Sequence, residues 1–135
     1  MDPVVFNSIK MTLHQKHFKD EKFDALRSSI STSYSYISVE QVIELVKEFT
    51  FDDGKLEAVK ICQPKMSPCN CYQVVPLLSG FSFDGSKVKV VETIAPNIMD
   101  PANHHELDKA ITFHSDREKA RAILMSRSSM GTDFG

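Results

Sequence analysis

Two stretches of the sequence decide the fold: QVIELVKEFTFDDGK at 41–55 and QVVPLLSGFSFDGSK at 73–87. The dipeptide Gln-Val, the motif Phe-x-Phe-Asp and a lysine four residues after the second phenylalanine recur at a constant offset of 32 residues. Self-similarity at a fixed period of this length is typical of architectures in which each repeat packs on its neighbours. The sequence therefore predicts a repeat fold.

Weaker copies of the same pattern flank these two stretches. Phe18 is followed four residues later by Lys22, and Phe113 is followed four residues later by Arg117. We count four units, at about 1–33, 34–66, 67–99 and 100–126. The first and last are atypical, as expected for end units that meet solvent on one face. Residues 127–135 are predicted to form a disordered tail.

Apolar spacing within the units favours helices. Val42, Leu45, Val46 and Phe49 follow the i, i+3, i+4, i+7 pattern of one helix face. An extended conformation competes only over 87–92, where β-branched residues alternate with polar ones. The predicted fold is therefore all-α, a short right-handed α-solenoid-like stack of about four helix-pair repeats that forms a single domain over 1–126.

Helix-start signals fall at matching places in the units. A capping box pairs a short polar N-cap residue with a Gln or Glu three positions later. Three such pairs are predicted: Ser38 with Gln41, Asn70 with Gln73, and Asn103 with Glu106. Asp2 followed by Pro3 gives an equivalent start to the first unit. The phased caps support the repeat alignment independently of the apolar pattern.

The sequence resembles a family of domains of unknown function. The residues that carry the resemblance are Gln73-Val-x-x-Leu-Leu-x-x-Phe-x-Phe and Lys55-Leu-x-Ala, and it covers most of residues 18 to 126. The family includes the N-terminal domain of proline and serine-rich protein 1. The resemblance implies an all-helical repeat domain without catalytic residues to transfer. These 135 residues contain no long Pro/Ser-rich stretch like that of the larger protein, so its nuclear regulatory setting is not expected to carry over.

Composition narrows the classes of partner. The formal net charge of the 135 residues is -2 and there is no long basic run, whereas phosphate binding needs a basic surplus. No stretch has the pattern of a signal peptide or of a transmembrane helix. We expect no nucleic-acid partner, no membrane association, and a cytoplasmic or nuclear location. The three cysteines are expected to be reduced thiols.

Enzyme signatures are absent from the sequence. It has no nucleophile elbow, phosphate-binding loop or dinucleotide fingerprint. His105-Glu106 begins like a zinc-protease helix, but Lys109 stands where the second histidine would be. We therefore expect a non-catalytic protein without a cofactor.

A cysteine and histidine corner is the alternative to a purely structural interpretation. The repeat alignment places Cys71 and His104 at equivalent helix starts in adjacent units, next to Cys69 and His105. Two thiolates and two imidazoles can form a tetrahedral zinc site. The Cys-x-Cys spacing is tighter than the usual Cys-x-x-Cys, so semi-buried thiols and solvent-facing histidines are the competing interpretation.

One basic residue recurs near the start of every second helix. These four residues, which we call the basic ladder, are Lys22, Lys55, Lys87 and Arg117. Cations there oppose the helix dipole, so their recurrence calls for an explanation. Their stems could pack over the preceding phenylalanine while an aspartate neutralises the charge. Alternatively, the ladder could bind an acidic peptide.

The sequence favours one function over the others. We predict a non-catalytic α-helical repeat module that binds another protein or an acidic peptide, with the basic ladder as the candidate partner-binding site. A metal- or small-ligand-binding regulatory protein that uses the Cys/His corner is the alternative.

Overall fold

A computed structural model describes the backbone of residues 1–134 and the side chains of residues 1–127. Seven α-helices follow in chain order: α1 Pro3–Gln15, α2 Lys19–Thr32, α3 Val39–Val46, α4 Asp52–Cys62, α5 Cys71–Ser79, α6 Asp84–Ile94 and α7 His114–Phe134. Three 3₁₀ segments complete the helical structure: Gln63–Lys65, Ala95–Asn97 and Pro101–Lys109. Of the tail predicted for 127–135 only Arg127 has a described side chain, and the disorder stays a prediction.

The helices pair into four units that stack in two layers. The second helices of successive units pack on one another in the order α2, α4, α6, α7. The first helices do the same in the order α1, α3, α5 and the 3₁₀ segment Pro101–Lys109. The all-α repeat fold predicted from the 32-residue period is thereby confirmed. Helix α6 covers the β-branched run at 87–92, which is therefore helical.

The predicted caps form in three of four places. Ser38 and Gln41 make a reciprocal capping box at α3, and Asn70 and Gln73 make one at α5. Asp2 caps α1 by accepting from the Val4 amide at 2.7 Å. These bonds satisfy backbone amides that a helix start otherwise leaves unpaired.

The capping box predicted at Asn103 was wrong. The last unit begins with a 3₁₀ helix, and Asn103 lies inside it with non-helical backbone angles. Its side-chain amide donates to Asp100 Oδ2 at 2.9 Å, while the other carboxylate oxygen of Asp100 accepts from the Cys71 amide of the preceding unit. Asn103 is thus engaged by a carboxylate that also joins two units.

The core runs the length of the stack between the two layers. All four positions of the apolar pattern are buried: Val42, Leu45 and Val46 on α3, and Phe49 in the corner after it. Large residues of each unit are fully buried with them, for example Leu13, Leu77 and Leu124. The helices α1 to α6 have 8 to 14 residues and would be marginal alone, so burial of these faces between neighbours is what maintains them.

The segments between units pair with one another. Ile37 forms a parallel backbone bridge with Met66, and Cys69 forms one with Ile98. The Met1 ammonium donates to the Tyr36 carbonyl at 2.7 Å at the corresponding place in the first unit. These bonds fix successive units in a common register along the edge opposite the helix corners. Within the described residues, no helix is long and apolar enough to cross a membrane.

Candidate functional site

The Phe-x-Phe motif places two phenylalanines in opposite environments. Phe49 and Phe81, the first of each pair, are buried, and the Phe49 ring stacks on Phe23 with centroids 5.2 Å apart. The second of each pair, Phe51 and Phe83, is exposed to solvent. The first phenylalanine therefore holds the corner together, whereas core packing does not explain the second.

An exposed phenylalanine recurs at the same position in all four units. Each directly precedes the first residue of the second helix of its unit. Between 64% and 74% of each residue's surface is exposed. We call these residues the phenylalanine row: Phe18, Phe51, Phe83 and Phe113. A single exposed apolar residue is common on protein surfaces. Four such residues at equivalent positions form a regular apolar surface, which is not common.

Three phenylalanines of the row stand at helix N-cap positions, where short polar residues are usually preferred. The first helices of the first three units are capped by Asp2, Ser38 and Asn70. The helices α2, α4 and α6 instead have a phenylalanine at the N-cap and no side-chain capping bond. A good cap is worth about 1 kcal/mol, so the phenylalanines forgo that stabilisation at each of these helices.

Aspartates join neighbouring corners and bring the phenylalanines into line. Asp52, which follows Phe51, accepts from the amides of Ser82 and Phe83 at 2.9 to 3.1 Å. Asp84, which follows Phe83, accepts from the amides of Thr112 and Phe113 in the same way. Burial is the largest single influence on the pKa of Asp52 and raises it, but the two backbone bonds, a hydrogen bond from Ser86 and the Lys55 charge together lower the pKa. The carboxylate therefore stays ionised and joins the units.

The first pair of corners is joined differently. The residue equivalent to these aspartates is Lys19, which follows Phe18 and begins α2. Its ammonium pairs with Asp53 at 3.1 Å on the protein surface. We call each aspartate that accepts from the amides of the next corner a clasp. One ion pair and two clasps thus connect the four corners from Phe18 to Phe113.

The side chains of the basic ladder donate hydrogen bonds to backbone carbonyls. Each cation donates to a carbonyl at the end of a first helix, with donor-to-acceptor distances of 2.6 to 3.0 Å. Lys22 and Arg117 reach carbonyls of their own unit, whereas Lys55 reaches Gly80 and Lys87 reaches Ala110 of the next unit. All four residues are partly buried.

These contacts give the basic ladder a structural role. Carbonyls at a helix C-terminus lack intrahelical partners and carry negative partial charge, so a cation stabilises them. Among the described residues, no ladder cation makes the cation-π contact that the structural interpretation allowed for. Lys87 does lie 3.6 Å from Asp84, the aspartate that this interpretation expected to neutralise its charge. Binding of an acidic peptide by the ladder stays a prediction.

The two thiols of the Cys/His corner are buried and favour their protonated form. Cys69 and Cys71 are buried, and the Cys71 thiol donates to the Asp100 carbonyl at 3.3 Å. Burial, aided by the Asp100 carboxylate, raises the pKa of Cys69 to about 11 and of Cys71 to about 12. A thiol must lose its proton to bind zinc, and here the protonated form is favoured.

The histidines do not complete such a site. The His104 and His105 rings face each other with centroids 4.2 Å apart. His104 is buried, and its pKa is lowered by that burial and by the neighbouring His105, whereas His105 is exposed. Among residues whose side chains the structure describes, no group of three or more His, Cys, Asp or Glu could hold a metal ion.

The buried thiols predict low reactivity. At pH 8 the native chain is expected to react with a thiol-specific disulfide reagent over hours, because about one part in a thousand or less of each thiol is ionised. The urea-unfolded chain should release three equivalents within minutes. The variant Met99→Cys, at a site that is 63% exposed, is the positive control. Rapid labelling of the unmodified native chain would contradict the burial of the three cysteines.

Sequence reasoning noticed the phenylalanine row only as a marker of the repeat. The available signal was a phenylalanine directly before the second helix of each of the four units, where a short polar residue would be expected. The motif itself does not reveal which phenylalanine of each pair faces solvent, because both lie in a tight corner.

Comparisons with known proteins also find an internal repeat in the chain. A family model described as a domain of unknown function, DUF4476, matches twice, over residues 1–67 and 60–124. Each match spans two of the four helix-pair units. No curated protein and no solved structure matches the chain. On the strength of these two matches, the chain belongs to the DUF4476 family of domains of unknown function.

Proposed function

We propose that this protein is a non-catalytic helical repeat module that binds an extended segment of another protein along the phenylalanine row. The observation that carries the proposal is the recurrence of an exposed phenylalanine at the same corner of all four units. Stacked repeats present such aligned positions as one continuous binding surface. Exposed aromatic rings provide large apolar contact areas at interfaces.

The charges along this edge favour an uncharged partner segment. Lys19 pairs with Asp53 and Lys87 with Asp84, while Lys22 and Lys55 donate to backbone carbonyls. Cations that are already engaged gain little from an acidic ligand, since the ligand would have to replace existing partners. An apolar segment gains from the row without disturbing these bonds.

The spacing of the units suggests the form of the segment. Packed helices lie about 8–10 Å apart, so successive phenylalanines of the row stand about that far apart. One turn of a polyproline II helix has three residues and advances about 9 Å. A proline-rich segment with one apolar side chain per turn would therefore meet one phenylalanine in each unit, as in other aromatic surfaces that bind such segments.

The test uses the full chain and synthetic twelve-residue peptides. One peptide has proline-rich sequence with leucine at every third position, and its control has the same composition with the leucines grouped at one end. We expect the periodic peptide to bind more tightly in calorimetric titration. Replacing both Phe51 and Phe83 with alanine should weaken binding at least tenfold, since truncating a central aromatic residue typically costs about 1–2 kcal/mol.

A matched variant controls for the loss of exposed aromatic surface. Tyr36→Ala with Tyr72→Ala removes two residues that are similarly exposed but lie off the phenylalanine row. This variant should bind the periodic peptide like the unmodified chain. Equal affinity for the two peptides, or equal weakening by both double variants, would refute the proposal that the phenylalanine row is the binding site.

Several attributes of the module accompany this proposal as predictions. These are the absence of catalysis, a cytoplasmic or nuclear location, and the resemblance to the N-terminal domain of proline and serine-rich protein 1. The family match supports the repeated helical domain on which they rest.

A further inference from the structure

A groove between α2 and α4 lies away from the phenylalanine row. It encloses about 610 Å³, within the range of pockets that accept small ligands or a few side chains. Its apolar lining comes from Ile30, Ile61 and Pro64, near the C-terminal ends of the two helices. The phenylalanine row lies at the N-terminal ends of the same helices, so the two surfaces are at opposite ends.

The charged residues around this groove are mostly basic. Arg27, Lys60 and Lys65 line it together with a single carboxylate, Glu57. This excess contrasts with the chain as a whole, whose formal net charge is -2. The groove is therefore a local basic surface with an apolar floor.

The three cations differ in how far they are already paired. Arg27 lies 3.3 Å from Glu57 and 3.4 Å from Asp24, so its charge is largely balanced. The Lys65 ammonium donates to the carbonyls of Ser31 and Ser33, which position it without neutralising its charge. Lys60 is exposed and has no ion-pair or side-chain hydrogen-bond partner among the described residues. Lys60 can thus pair directly with an anionic group, whereas Lys65 adds positive charge beside it while its ammonium stays bound to carbonyls.

We propose that this groove binds a segment of a partner protein in which carboxylate side chains alternate with aliphatic ones. The aliphatic side chains would pack on Ile61 and Pro64, above the buried Ile30, and a carboxylate would pair with Lys60. Charge complementarity selects an acidic segment, since a basic one would meet two unneutralised lysines. The basic ladder was the candidate that the sequence offered for such a ligand, but all four of its cations donate to carbonyls.

The experiment is a titration of the isotope-labelled full chain monitored by amide chemical shifts. The first probe is a ten-residue peptide with alternating leucine and glutamate over its central six positions. A second replaces each glutamate with glutamine, and a third replaces each leucine with serine. We expect the first probe to bind at least tenfold more tightly than either of the others, with shifts confined to the C-terminal halves of α2 and α4. Its affinity should fall as the salt concentration rises.

Charge reversal at one groove residue provides a matched pair of variants. Lys60→Glu should weaken binding of the first probe at least tenfold. Lys89→Glu makes the same change of charge at an exposed lysine of α6, outside the groove, and should leave binding unchanged. The Phe51→Ala, Phe83→Ala double variant should also bind this probe normally, which separates the groove from the phenylalanine row.

Three results would overturn the inference. The first is no binding of the leucine-glutamate peptide at millimolar concentration, or shifts that map elsewhere. The second is equal weakening by Lys60→Glu and Lys89→Glu. The third is equally tight binding of a ten-nucleotide single-stranded DNA at the groove, because this would identify a general anion surface instead of a protein-binding one.

Discussion

Replacing Phe49 with alanine is expected to lower the free energy of unfolding by about 3–5 kcal/mol, the range for removing a buried phenylalanine. Phe49 is 4% exposed, and its ring stacks on Phe23 of the preceding unit at 15° between planes. The substitution therefore leaves a cavity at the joint between the first two units and removes an aromatic pair. Urea unfolding followed by helical circular dichroism measures the loss.

The other phenylalanine of the same corner is the control. Phe51 is two residues further on and 74% exposed. Phe51→Ala should change the free energy of unfolding by less than about 0.5 kcal/mol, as is usual for surface substitutions. Similar losses for the two variants would contradict the assignment of one phenylalanine to the core and the other to the surface.

Replacing Asp84 with alanine is expected to cost about 3 kcal/mol or more. Its carboxylate is 7% exposed, accepts from the amides of Thr112 and Phe113, and lies 3.6 Å from the Lys87 ammonium, which is 12% exposed. Alanine leaves two amides without their acceptor and a largely buried cation without its counter-charge. Breaking a buried pair from one side typically costs about 3–5 kcal/mol, although Lys87 keeps its bond to the Ala110 carbonyl.

Two further variants test the cause of this loss. Asp84→Asn keeps an acceptor oxygen but removes the charge, so it should lose less stability than Asp84→Ala. Asp52→Ala removes the equivalent clasp one unit earlier, where the carboxylate is less buried, and should also cost less. Chemical unfolding of the three variants gives the order. A loss for Asp84→Ala below about 0.5 kcal/mol would show that the clasp is replaced by solvent.

The fold could be predicted from the sequence because its signals are local. The Phe-x-Phe corner, the apolar spacing on α3 and the capping boxes at Ser38 and Asn70 each lie within one unit and repeat in phase. The box predicted at Asn103 failed because the 3₁₀ helix begins at Pro101, so Asn103 lies inside it, where its side-chain amide donates to Asp100. That carboxylate is positioned by the Cys71 amide of another unit, which no local pattern reveals.

The candidate sites were harder to predict because they depend on contacts between units. The partner of Lys55 is a carbonyl 25 residues away, so its role as a cap emerges only when the units stack. In the groove, Arg27 comes from a different unit than Lys60 and Lys65, and the three residues share no motif. The phenylalanine row was visible as a repeated residue, but its exposure depends on how each corner turns.

The joint between the first two units lacks the clasp of the later joints. A lysine ammonium has no lone pair to accept a hydrogen bond, so Lys19 cannot hold the corner amides of the second unit as Asp52 and Asp84 hold those of the third and fourth. In a linear array, the order of opening follows the strength of each interface. Fraying will therefore begin at the N-terminal hairpin of α1 and α2, and partially open molecules will keep the three later units as one cooperative block.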